Sequence, residues 1–289
     1  MARDHYIPVT YLRSFCIAPT MEQLRCVNKS DLSEFFPGAH NVCCVQDGST
    51  NPYLTEPRFL ETILKLVEPD WPDVLKKLDA KIVDDRMLQN VAALLVLIRL
   101  CSPTGSRLTT ASSTELYKMG IRAADREGAF SPLPTQLETF GANLTDLIEK
   151  GFVEVDVDSK HAQTYGLTQL QELIDGFVQS DWEFLTCGKT NERFLTCDFP
   201  LIISKKSENA PPNQIFPLTP EVAVRVHLTK FERTIPQRIF KSNRNIFSTE
   251  LSASQVRTIN RYLVMGADRM IFCSTTANWF LSFWTAPRN

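Results

Sequence analysis

Hydrophobic positions recur at helical spacing through the middle of this chain. The segment 87–100 is apolar almost all round, which is typical of a buried central helix. Amphipathic patterns with a period near 3.6 residues predict further helices over 59–67, 71–82, 110–127, 136–149 and 161–180. Residues 55–180 are therefore predicted to form a helical middle segment.

Both ends of the chain carry short runs that favour β-strands. Near the start these runs cover 23–28 and 41–45, and after Trp182 they cover 184–187, 193–197, 201–203, 222–226 and 270–273. One helix is predicted among them, over 252–267. The pattern predicts an α+β fold in a single domain, 1–289. Its helical middle segment packs with a mainly antiparallel sheet built from the N-terminal part (1–50) and the C-terminal part (182–289).

The first fifteen residues are unusually rich in aromatic and basic side chains. They include His5, Tyr6, Tyr11, Arg13 and Phe15. Ordering such a terminus costs conformational entropy that only packing repays, so we expect it to be held in the body of the fold.

Composition narrows the classes of function. The 289 residues hold 31 Lys+Arg and 33 Asp+Glu, a net charge of −2, so no global attraction to nucleic acid or anionic lipid is expected. No secretory signal is recognised, and the longest apolar run, 91–98, is too short to cross a bilayer. Eight scattered cysteines without Cys-x-x-Cys spacing favour buried thiols in a reducing, cytoplasmic location. No phosphate loop, nucleophile elbow or zinc-ligand spacing occurs.

The opening segment, His5-Tyr6-Ile7-Pro8-x-x-Tyr11-Leu12-Arg13-x-Phe15, resembles the signature of an uncharacterised family, domain of unknown function 4238. Later blocks fall in that family's order, and the block 194–200 departs from its pattern at two positions, Cys197 and Phe199. The resemblance implies a single-domain protein and supplies no reaction. The further blocks that resemble the family are 61–68, 97–103, Trp182 with 194–200, 217–220, and Asn260 with Ala267.

Five polar residues of these blocks predict one cleft: His5, Glu61, Glu68, Arg99 and Asp198. His5, Glu68 and Asp198 are candidate metal ligands or acid–base groups, with Mg²⁺ or Mn²⁺ as the implied cofactor. Arg99 is a candidate for holding an anionic substrate. Glu61 shares a helical face with Glu68, about 10 Å away along the axis, so Glu68 is taken as the inward member. The alternative interpretation is an internal salt-bridge lattice in which Arg99 neutralises Glu68 or Asp198.

A basic segment, 225–247, interleaves cationic and aromatic side chains, which fits a groove for single-stranded nucleic acid. The alternative is an ordinary exposed face whose neutralising acids lie elsewhere in the fold. Asp198 likewise has a simpler interpretation as a turn residue. Leu12 and Phe15 are expected in the core. The candidate substrate-binding residues are Tyr6, Arg13, Arg238, Lys241, Arg244 and Asn260.

These residues predict a metal-assisted phosphodiester hydrolase, a nuclease-like enzyme that acts on nucleic acid or a nucleotide. Two alternatives are a non-catalytic binding or regulatory module for a small anion or peptide, and a toxin or defence component. No membrane partner is expected, and the sequence makes no prediction of the oligomeric state.

Overall fold

The computed structural model describes residues 3–17, 22–205, 212–228 and 244–274, and its longer helices occupy the middle of the chain. Short 3₁₀ turns lie at Arg13–Phe15, Ala39–Asn41 and Glu68–Asp70. The helices are α1 (Val9–Leu12), α2 (Phe59–Val67), α3 (Trp71–Asp79), α4 (Asp85–Cys101), α5 (Pro103–Arg126), α6 (Leu144–Glu149), α7 (Ser159–Thr168), α8 (Leu170–Val178) and α9 (Ala253–Gly266).

The strands lie at the two ends of the chain, as the sequence predicts. They are β1 (Arg3–His5), β2 (Arg25–Asn28), β3 (Glu34–Phe35), β4 (Cys44–Gln46), β5 (Asp181–Thr186), β6 (Thr196–Cys197), β7 (Ile202–Ser204), β8 (Asn213–Pro217), β9 (Val222–His227), β10 (Ile246–Glu250) and β11 (Met270–Cys273).

Three sheets form among the described strands rather than one. The order β3-β2-β11-β6 joins the N-terminal and C-terminal parts, because β11 pairs antiparallel with both β2 and β6. A five-stranded sheet, β10-β5-β9-β8-β7, is C-terminal and antiparallel except for the parallel pair β10–β5. β1 and β4 form a short antiparallel ribbon. The α+β class and the mainly antiparallel pairing are confirmed.

Helix α4 lies at the centre of the helical segment and packs against α2, α3, α5, α7 and α8. Its side chains from Val91 to Ile98 are all buried, because the segment has no polar face to turn to water. The largest hydrophobic cluster joins this helix to both ends of the chain, from Tyr6 to Phe272.

Several boundaries differ from the sequence prediction. Helix α5 begins at Pro103 rather than 110, because Ser102 caps it: the Ser102 hydroxyl accepts the Gly105 N–H at 3.1 Å. Only Leu144–Glu149 of the predicted helix 136–149 is helical, and 161–180 divides into α7 and α8. The sequence pattern does not predict strands β1, β3, β8 and β10. β10 overlaps the basic segment at Ile246 and Phe247, and most of its side chains are exposed, so no period of two marks it.

Candidate functional site

The N-terminal motif is packed into the core, as predicted, and Leu12 and Phe15 are fully buried. The Tyr11 hydroxyl lies 2.7 Å from the Thr196 Oγ1 and donates to the Pro217 carbonyl at 3.0 Å. The Tyr11 ring stacks on Phe216, 5.1 Å between centroids. Tyr11 therefore joins the start of the chain to β6 and β8.

His5 and Tyr6 bond to the neighbouring N-terminal loop. The His5 Nε2 lies 3.0 Å from the His40 carbonyl, so this nitrogen carries the proton and donates. The Tyr6 hydroxyl is hydrogen-bonded to the Cys43 thiol, and burial raises the pKa of Tyr6. Tyr6 is only 9% exposed, so it is a core residue rather than a wall of an open cleft.

Asp198 holds the loop between α9 and β11. Its carboxylate accepts three backbone N–H groups, from Asp268 at 2.8 Å, Arg269 at 2.7 Å and Met270 at 3.0 Å. Burial nevertheless raises the pKa of Asp198 above its ordinary value, although these bonds act in the opposite direction. Asp198 therefore organises a distant loop rather than its own turn.

The predicted metal ligands are not gathered into one group. Among the residues that the structure describes, no three His, Cys, Asp or Glu side chains are placed to hold a metal ion. The structure describes His5, Glu68 and Asp198, so this finding covers all three predicted ligands. Burial is the sole cause of the raised pKa of Glu68. No charged neighbour contributes to this shift.

A partly exposed salt-bridge network forms around other residues than those of the predicted internal lattice. Arg58 pairs with Asp4 at 2.9 Å and with Glu61 at 2.6 Å, and Lys65 pairs with Glu61 at 2.9 Å. Arg99 takes no part in it and pairs with neither Glu68 nor Asp198 in the described structure. The lattice interpretation therefore does not extend to Arg99.

Asn260 and Arg244, predicted to bind substrate, are engaged inside the protein. The buried Asn260 amide accepts from the Leu195 N–H at 2.9 Å and donates to the Arg193 carbonyl at 2.7 Å. The Arg244 guanidinium pairs with Asp85 and donates to the Val178 carbonyl at 3.2 Å. Both side chains make contacts within the protein, and their role in substrate binding stays a prediction.

The basic segment is neutralised where it is described. Arg225 pairs with the buried Glu183 at 2.8 Å, and Arg244 pairs with Asp85. The Glu183 carboxylate also meets the His227 Nε2 at 3.0 Å, and accepts from the Thr249 hydroxyl at 2.7 Å. These contacts neutralise the two arginines of the segment that the structure describes, and the groove for single-stranded nucleic acid stays a prediction. Arg238 and Lys241 lie outside the described residues.

Arg99 occupies a different setting from all of these. It is the exposed residue within the otherwise buried stretch Val91 to Leu100, in the last turn of α4. Across the described residues, no carboxylate or hydrogen-bond acceptor pairs with its guanidinium. The side chain reaches solvent, yet it lies far enough between helices that burial lowers the pKa of Arg99.

A cavity of about 210 Å³ opens around Arg99 between α4, α5, α7 and α8. Its polar lining consists of hydroxyl and amide groups and contains no acidic residue. The cavity's apolar wall comes from Val96, Leu100, Leu116, Leu173 and Phe177. The polar lining residues besides Arg99 are Thr109, Ser112, Ser113, Tyr165 and Gln169.

The sequence analysis found Arg99 but missed the groups around it. Thr109, Ser112 and Leu116 recur at three- and four-residue spacing, so they share one face of α5. That spacing was a usable signal for α5. Gln169 carried no comparable signal, because its place at the α7–α8 junction depends on tertiary packing.

The fold and the cavity define an α+β protein with an uncompensated cationic pocket in its helical segment. A family model described as "Protein of unknown function (DUF4238)" matches residues 3–277, and the chain belongs to this family. Searches of the curated proteins and of the solved structures found no match. Within the described ranges, no single helix combines the length and apolar composition needed to span a membrane.

Proposed function

We propose that this protein is a non-catalytic anion-binding module whose ligand binds at Arg99. The observation that carries the proposal is the guanidinium of Arg99, which lines a cavity with no acidic residue in its wall. Arginine stays protonated throughout the accessible pH range, so the cavity carries a permanent positive charge. A carboxylate or phosphate oxygen would supply the missing partner.

The energetics favour this interpretation over a structural role for Arg99. A desolvated charge without a partner costs stability, and proteins normally pair such groups. The lowered pKa of Arg99 records this cost, since burial disfavours the charged form. An anion that binds here would reverse part of the cost. The Gln169 amide could donate a further hydrogen bond to it, whereas the hydroxyls of Thr109 and Ser112 already donate to the Gly105 and Leu108 carbonyls.

The hydrolase prediction receives less support. A metal-assisted reaction with Mg²⁺ or Mn²⁺ needs gathered oxygen or nitrogen ligands, and the described residues form no such group. Activity on nucleic acid through 225–247, and a toxin or defence role, stay predictions. We keep a cytoplasmic location as part of the proposal, because all eight cysteines are free thiols.

A thermal-shift experiment tests the proposal. The wild-type protein and the Arg99→Met variant are titrated with formate and with inorganic phosphate, at ionic strength held constant with NaCl. Ten times Kd of a specific anion stabilises the wild type by about 1.4 kcal/mol. We expect a rise in Tm in the wild type and a much smaller one in Arg99→Met, because general salt effects act equally on both.

The matched control is Arg126→Met, since Arg126 is an exposed arginine in the last turn of α5 and does not line the cavity. Arg126→Met should respond to anions like the wild type. Without ligand, Arg99→Met should melt at or above the wild-type Tm, because methionine removes an unpaired desolvated charge. Equal anion responses in wild type and Arg99→Met would contradict the proposal. A large loss of Tm in Arg99→Met would identify Arg99 as a structural residue.

A further inference from the structure

A second cavity, of about 450 Å³, adjoins the Arg99 cavity along helix α5. Ser113, Leu116 and Tyr165 line both cavities, so the two spaces share a wall. The further lining residues of the second cavity are Tyr117, Gly120, Ile121, Ala124, Phe130, His161 and Ala162.

The second cavity is aromatic and largely apolar. Tyr117, Phe130 and Tyr165 contribute rings that remain 40–53% exposed to solvent. The His161 ring lies 6.4 Å from that of Tyr117. No acidic or permanently cationic side chain belongs to this lining. Exposed aromatic surface gathered around a concavity is typical of a binding site, because burying it on a ligand is favourable.

The two cavities together present a cation beside an aromatic space. Arg99 is the sole charged residue in the first lining, and one guanidinium balances one negative charge. A monoanion therefore fits better than a dianion, which would leave excess charge in a partly desolvated space. Aromatic walls accept flat rings in offset or edge-to-face contacts.

We infer that the ligand of this site is an aromatic carboxylate, with its carboxylate at Arg99 and its ring system in the adjoining aromatic cavity. This inference rests on the proposed anion-binding function and extends it from the charged group to the body of the ligand. The carboxylate can accept two parallel N–H groups from the Arg99 guanidinium. The ring system covers the exposed faces of Tyr117 and Phe130.

Isothermal titration calorimetry of the full chain with three probes tests the inference: formate, 2-naphthoate and the neutral 2-naphthamide. We expect 2-naphthoate to bind at least about tenfold more tightly than formate, because its rings bury apolar area that formate lacks. It should also bind at least about tenfold more tightly than 2-naphthamide, which cannot form the charge-assisted pair with Arg99.

Variants separate the two parts of the site. Phe130→Ala should lower the affinity for 2-naphthoate several-fold and leave the affinity for formate unchanged, since Phe130 lines the second cavity and not the first. Arg99→Met should lower the affinity for both anions. Tyr262→Ala is the control for loss of an exposed aromatic ring, because Tyr262 is 53% exposed on α9, outside both linings.

The outcomes distinguish the two claims. If 2-naphthoate binds no more tightly than formate, or Phe130→Ala leaves its affinity unchanged, the aromatic ligand is rejected while the anion site stands. Equal affinity for 2-naphthamide and 2-naphthoate also rejects the inference. If Arg99→Met changes the affinity for neither anion, the proposed anion-binding function itself is rejected.

Discussion

Charged and polar residues of this protein differ in whether the fold provides partners for their charges and hydrogen-bonding groups. Asp198 and Asn260 lie in the core, and every one of their observed hydrogen bonds joins backbone groups of distant segments. Glu68 and Arg99 are desolvated without a charged partner among the described residues. The first pair therefore joins distant segments of the fold, whereas the second pair has no charged partner to offset its burial, which is typical of groups retained for binding.

Glu68 and Glu61 should show opposite pH dependences. Burial raises the pKa of Glu68 above its ordinary value of 4.5, so its charged form disfavours folding at neutral pH. Glu68→Gln should therefore raise the Tm at pH 7. The gain should shrink as the pH falls through the raised pKa towards 4.5, where wild-type Glu68 becomes protonated. Thermal melts of the wild type and Glu68→Gln from pH 7 to pH 4 measure this difference in Tm.

Glu61→Gln is the matched control on the same helix. Hydrogen bonds from Lys65 and Arg58 lower the pKa of Glu61, so its charge favours folding above the ordinary value. Glu61→Gln should lower the Tm at pH 7, and this loss should vanish as the pH falls through the lowered pKa. Parallel pH profiles for the two variants would contradict the assigned environments.

At the scale of single residues, the sequence indicated which residues are important better than it indicated what each of them does. Arg99 was recognisable as a candidate because it interrupts an apolar stretch. Tyr11 was recognisable as a packed residue because mobile termini rarely contain aromatic side chains. The role of Asp198 could not be predicted. Its partners are backbone N–H groups some 70 positions away, which every residue except proline carries and which leave no trace in the sequence.

Among the elements, the joint between α4 and α5 determines the shape of the Arg99 cavity. The two helices meet at a bend of 73°, where Ser102 is both the last cap of α4 and the first cap of α5. Gly105 permits this close turn. A Cβ at Gly105 would overlap the Arg99 carbonyl, so only glycine lets α5 begin there.

Two glycine substitutions in α5 should have opposite effects. Gly105→Ala should destabilise the protein by about 3 kcal/mol or more, because the overlap involves backbone that cannot move aside. Gly120→Ala should stabilise it by up to about 1 kcal/mol, since alanine favours the helix and a Cβ there meets nothing within 4 Å. Urea unfolding measures both. Similar midpoints for the two variants would contradict the described joint.

Element prediction succeeded where one physical signal dominated. α2 follows from its hydrophobic period, and α4 follows from a stretch that is apolar almost all round. α9 carries a complete capping box between Ser252 and Gln255. The predicted helix 136–149 was wrong over most of its length, and Leu147 is the one fully buried large hydrophobic side chain within that range. Strand β10 pairs parallel with β5, and no local pattern specifies a parallel partner.

The whole molecule is joined by one large hydrophobic cluster. It contains Tyr11 from the N-terminal part, Leu94 from the helical segment and Phe216 from the C-terminal part. Because the same cluster stabilises all three parts, we expect them to unfold together.

Calorimetry tests this expectation of a single cooperative unit. Thermal unfolding should give one transition, and the calorimetric enthalpy should equal the van't Hoff enthalpy. Far-UV circular dichroism and near-UV circular dichroism should report the same Tm. Two separate transitions, or a van't Hoff enthalpy well below the calorimetric one, would show that the helical segment and the sheets fold independently.

The pairing of β2 with β11 has a consequence for biosynthesis. Arg25 and Cys273 are partners in this sheet and stand 248 positions apart. A ribosome that adds about 5–20 residues per second needs many seconds to cover that interval. During this time β2 has one possible neighbour, β3, and its other edge is unsatisfied. The nascent polypeptide is therefore a natural client for chaperones that shield unpaired strand edges until translation has passed β11.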